Sequence, residues 1–111
     1  MPNVFQVEST IDSLGEAKRL AAALVEKRLA ACVQVVSPIS STFWWEGQIQ
    51  HAEEFLLLCK VPAERLGEAT ALIEELHSYD VPEVLAFEVK SGSRSYLEWV
   101  VAETGASLTA G

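Results

Sequence analysis

Cationic side chains are scarce in this chain: eight Lys plus Arg stand against sixteen Asp plus Glu, a formal net charge of −8 over 111 residues. A surface of that sign repels phosphate backbones and anionic headgroups, so nucleic acid and lipid surfaces are poor partners and cations are enriched around the molecule. Imidazoles are scarcer still. His51 and His77 are the only two, which restricts both general-base and imidazole-rich metal schemes. Two cysteines are too few for a disulfide scaffold; Cys32 and Cys59 lie in apolar strand-like segments and read as two buried thiols rather than a bridge. No glycine-rich phosphate loop, G-x-S-x-G, H-E-x-x-H or C-x-x-C occurs, and a non-enzymatic protein is expected. Nor does any apolar run reach the roughly 18 residues that span a bilayer. The opening Met1-Pro2-Asn3-Val4 has no basic flank, and a soluble cytoplasmic protein is the expectation.

What is present is enough for one core. Half of the residues are apolar and 22% are charged, which reads as a single domain over 1–111, with its core at about 4–103 and a frayed tail at 104–111. Val4 to Glu8 has the length and composition of a short strand. Leu14, Ala17, Leu20, Ala21, Leu24 and Val25 recur at helical steps, and Ser13 with Glu16 has capping-box spacing. Ala31 to Val36 is a β-branched run that Pro38 interrupts, as at a bulge, before Ile39 to Trp45 resumes it. Glu46-Gly47 is the only turn signal before Gln48 to Val61, so the two runs read as one hairpin.

The arms of that hairpin are too long for the domain. About fourteen residues at roughly 3.3 Å give about 45 Å, against a diameter near 35 Å for a chain of this size. An overhanging edge tipped with Phe43, Trp44 and Trp45 invites pairing with another copy, so a homo-oligomer with intersubunit strand pairing is expected. The alternative is a hairpin folded back over its own core at Pro38. Beyond Pro62, the spacing of Leu66, Ala69, Ile73 and Leu76 predicts a helix over 63–77. A strand is predicted over 84–90, and Tyr96, Trp99 and Val100 mark a last helix. The order β, α, β, β, α, β plus a terminal α predicts an α+β ferredoxin-like antiparallel sheet with two helices on one face.

Candidate chemistry concentrates in Leu76 to Glu83, where His77, Tyr79, Asp80 and Glu83 share a helix-to-strand junction that could hold a divalent ion or a small ligand. Lys60 ends an apolar strand and needs a partner, for which Glu54 or Glu83 is the candidate. His51, beside Glu53 and Glu54, reads as part of a solvated edge. The aromatics Phe43 to Trp45 read as oligomer packing.

Four segments carry a recognisable pattern: Val25-Glu26-Lys27-Arg28-Leu29-Ala30-Ala31-Cys32, Ser41-x-Phe43-Trp44-Trp45-Glu46-Gly47, His77-x-Tyr79-x-x-Pro82-Glu83 and Tyr96-Leu97-x-Trp99. Together they resemble the CutA family of divalent cation tolerance proteins, from about Phe5 to Glu103. The resemblance implies a homotrimer whose hairpins pair between subunits and enclose lateral clefts, an assembly similar to that of PII signal proteins. It implies a role in tolerance to metal ions, copper above all, without an established catalytic reaction. The other function it leaves open is a PII-like metabolite-sensing or interaction module. The family's copper ligands would fall at Ser9, Leu76 and His77, where a soft copper(I) site has neither thiolate nor paired imidazoles. The implied metal contacts for copper or zinc are therefore His77 and Glu83, with Lys60, Tyr79, Trp45, Glu54 and Ser9 at the ligand cleft.

Overall fold

Side-chain alternation divides this protein into a sheet with one helix-covered face and one largely open face. In the computed structural model, which describes residues 2–107, the elements in chain order are β1 (Val4–Ile11), α1 (Leu14–Glu26), β2 (Cys32–Trp45) and β3 (Gln48–Pro62). They are followed by a 3-10 turn (Ala63–Arg65), α2 (Leu66–Leu76), β4 (Leu85–Glu88) and α3 (Arg94–Glu103). The strands form one antiparallel sheet in the order β2-β3-β1-β4, the ferredoxin-like order expected from the βαββαβ pattern.

Val7 and Ile11 of β1 and Leu57, Cys59 and Val61 of β3 point to one face, where they pack on Ala17, Leu20 and Leu24 of α1 and Ala69, Leu72 and Ile73 of α2. Wholly buried Leu and Ile side chains such as Leu57 and Ile73 each contribute about 1.5–3 kcal/mol by leaving water. α1 starts where the sequence places it: the Ser13 hydroxyl accepts the Glu16 N–H at 3.3 Å. On the opposite face α3 covers only one end, through Val4, Leu97, Val100 and Val101. Leu85 and Phe87, paired with Glu8 and Gln6, are left about half exposed.

The hairpin overhangs rather than folding back. β1 pairs with β3 from Pro62 only as far as Phe55, so β3 residues 48–54 run on beyond the sheet with β2 as their sole neighbour. The molecule is accordingly 47 Å long but 25 by 22 Å across. The register shift between Val36 and Ile39 is the bulge expected at Pro38; one extra residue on β2 keeps Val36 and Ile39 on the same face. Glu46 (φ 49°) and Gly47 (φ 78°) form the two-residue turn, both in the left-handed region that a hairpin of this loop length demands.

Two expectations are corrected. The thiols are free, but only Cys59 is buried. Cys59 sits among the helix-facing residues and burial pushes its thiol up to about 12. Cys32 is half-buried and opposes Lys60 on the other face, so a bridge is ruled out by the pleat. The segment just after α3 is not frayed. Thr104 is fully buried and its hydroxyl donates to the Val100 carbonyl at 2.8 Å, Arg65 holds the Thr104 carbonyl, and the Ser107 N–H donates to Glu64. Residues 108–111 of that expected tail lie outside the described residues.

Candidate functional site

Sheet register decides which polar side chains meet. Gln6 and Lys60 are direct cross-strand partners, and the Lys60 ammonium donates to Gln6 Oε1 while Gln6 Nε2 donates to Glu8 at 3.0 Å. Lys60 therefore does not pair with Glu54, contrary to expectation. Six residues along β3 separate the two, about 20 Å of extended chain. Ser9 does not join them: alternation turns it to the helix-covered face, where its hydroxyl is buried without a hydrogen-bond partner.

Glu54 occupies the point where the hairpin leaves the sheet and is only 7% exposed. The Tyr79 hydroxyl donates to its Oε2 at 2.8 Å. Tyr79 reaches it because His77 anchors the segment after α2. The His77 Nε2–H donates to the Thr10 carbonyl at 2.8 Å, Nδ1 accepts the Tyr79 N–H at 3.1 Å, and the two rings lie 4.7 Å apart at 58°. Both imidazole nitrogens, expected as a metal contact, are here engaged in hydrogen bonds within the fold. Among the described residues no group of three or more His, Cys, Asp or Glu is placed to hold a metal ion.

What the fold does assemble is a cleft of about 700 Å³ between the hairpin and the α2–β4 connection. Phe43, Trp44, Trp45, Gln50 and His51 line it from the hairpin, and Tyr79, Asp80, Val81 and Glu83 from the connection, with Thr10, Asp12 and Glu54 also contributing. Of the expected cleft residues, Trp45, Tyr79, Glu54 and Glu83 come together here; Lys60 and Ser9 do not. Asp80 joins from the expected junction cluster, whereas Asp12 and the cleft-facing role of His51 went unpredicted, since no local pattern marks them and only the antiparallel packing brings residues 10–12, 43–54 and 78–83 together. No Lys or Arg lines the cleft. Burial, then the charges of Glu54 and Glu8, hold the Glu83 carboxyl above the usual carboxylate range. Burial and the hydrogen bond to Glu54 raise the Tyr79 hydroxyl, so it stays a donor at neutral pH.

This arrangement sits in a chain whose residues 5–103 match the family model described as CutA1 divalent ion tolerance protein. The chain belongs to the CutA1 family. A divalent-cation tolerance protein CutA from Archaeoglobus fulgidus is 42% identical over 82% of this chain and 88% of its own length. A chloroplastic protein CutA 1 from Oryza sativa is 41% identical over 86% of this chain, which spans only 54% of the rice protein. A solved structure of the A. fulgidus CutA superposes with a TM-score of 0.87 at 38% identity, covering 92% of this chain and 98% of that one. CutA relatives described as periplasmic in A. fulgidus and chloroplastic in rice overturn the expectation of a cytoplasmic protein, which rested only on missing signals. Among the described residues no helix is long and apolar enough to cross a membrane.

Proposed function

We propose that this CutA1 chain is a non-catalytic homotrimer that serves tolerance to divalent cations by weak, reversible binding at the cleft beneath its hairpin. The overhanging hairpin carries the reading. It leaves Trp44 71% and Ile49 54% exposed on a two-stranded arm, which water penalises and a second copy would cover. Half-exposed Leu85 and Phe87 on the open sheet face support the same assembly. The binding part is supported by the acidic lining of the cleft: the carboxylates of Asp12, Glu54 and Glu83 attract cations with no Lys or Arg beside them. Because they do not converge as a three-donor set, the binding is weak and oxygen-based rather than a copper(I) site.

Sedimentation equilibrium at micromolar protein tests the assembly: a mass three times the 12.1 kDa chain is expected, and a lone chain would overturn it. Calorimetric titration with zinc and copper(II) tests the binding. Saturable zinc binding that weakens in Glu83→Gln is expected, and no heat from either ion removes the proposed metal role.

A further inference from the structure

The cleft combines features that a small inorganic ion does not need. Its volume of about 700 Å³ is in the range of small-molecule sites rather than of a bare ion. Trp45 and Tyr79 give it aromatic surface, and cations are drawn to aromatic π faces, most strongly to Trp. Asp12, Glu54 and Glu83 give it negative charge, while no Lys or Arg lines it to neutralise them. Lys60, the cation of the open sheet face, is already occupied by Gln6. The Glu83 carboxyl is raised by burial first and then by the charges of Glu54 and Glu8, in keeping with that acidic lining. A metal ion asks for several donors converging within bonding distance, and no such group exists among the described residues. An organic ammonium spreads its charge onto the adjoining methylenes and needs only one or two carboxylates together with aromatic surface.

We propose that this cleft binds an organic ammonium ion of the aliphatic diamine or polyamine class, its nitrogens on Glu54 and Glu83 and its methylenes against Trp45 and Tyr79. The inference rests on the cleft being the ligand site proposed above and specifies the chemistry of the guest.

The test uses the full chain and three probes: 1,4-diaminobutane, its uncharged counterpart 1,4-butanediol, and zinc. Calorimetry is read together with the fluorescence of Trp44 and Trp45. The diamine is expected to bind saturably at one per chain and the diol not at all. Glu83→Gln should weaken the diamine about tenfold through loss of a charge pair. Trp45→Leu should weaken it about fivefold through loss of the cation–π surface. Thermal unfolding of both variants without ligand verifies that they fold, both positions being substantially exposed. Equal binding of diol and diamine, diamine affinity unchanged in both variants, or no diamine binding overturns the proposal. If the diamine fails while zinc binds in a Glu83-dependent way, only the ammonium chemistry falls. If zinc also fails, the cleft reading falls with it.

Discussion

The Tyr79 hydroxyl donates to Glu54 Oε2 at 2.8 Å and so ties the connection after α2 to the root of the hairpin, 25 residues apart in the chain. Glu54 is 7% exposed, and a carboxylate that loses its donor at such a site bears its desolvation cost unrelieved. Tyr79→Phe is therefore expected to destabilise the fold by about 1.5–3 kcal/mol, the range for hydrogen bonds to charged groups. Urea unfolding at a fixed protein concentration reads this as a lower midpoint with an unchanged slope. An unchanged midpoint would show that the bond contributes nothing net.

His77 illustrates how a residue that looks like a ligand can be a strut. Its two ring nitrogens bridge the Thr10 carbonyl and the Tyr79 N–H. His77→Ala should cost about 1–3 kcal/mol, because it leaves backbone groups in a half-buried loop unpaired. Zinc affinity at saturating protein stability should stay within about twofold of wild type. A tenfold loss of zinc affinity with unchanged stability would restore the imidazole to the metal site.

Glu83 gives the cleft a pH signature. Its carboxyl is raised from the ordinary 4.5, by burial first and then by Glu54 and Glu8. A carboxyl held above its unfolded value favours the folded state while protonated. That contribution is complete below 4.5 and is lost as the pH climbs through the raised value. Glu83→Gln removes the loss, so the variant should match wild type near pH 4 and exceed it at pH 7. The gain should be no more than about 1 kcal/mol, because solvent screens a group this exposed. Thermal melts at both pH values decide it, and a variant less stable at pH 7 would contradict the electrostatic account.

The hairpin tip makes the fourth prediction. Trp44 is 71% exposed and belongs to neither apolar core cluster, so Trp44→Asp should leave far-ultraviolet circular dichroism intact. A charge placed in an apolar contact between copies should shift sedimentation toward the single-chain mass. Unchanged mass would move the subunit contact away from the tip. At the turn, Gly47→Ala places a Cβ on a residue at φ 78° and should cost about 1 kcal/mol through the left-handed backbone alone. Open space around Gly47 removes any steric contribution.

Much of the architecture was legible because local chemistry and tertiary packing agree. Ser13 with Glu16 marks the start of α1, Pro38 the bulge, Glu46-Gly47 the turn, and hairpin length alone foretold an overhang beyond the core. Where the reading failed, the missing information was which face or which neighbour a residue would meet. Thr104 looked like tail because nothing in its immediate sequence shows Arg65 and the last turn of α3 closing around it.

The candidate site shows the same division. Composition and motif spacing determined an acidic α+β protein with Tyr79 and Glu83 beside a junction and an aromatic-tipped hairpin, since charge balance and periodicity are properties of the chain itself. Pairing of Gln6 with Lys60, withdrawal of His77 into a Thr10–Tyr79 bridge, and convergence of Asp12, Glu54 and Glu83 with Trp45 were settled only in three dimensions. The reason is physical: a one-residue change of strand register exchanges the two faces of a sheet, and no local preference of Ser9 or Lys60 selects the partner across the strand.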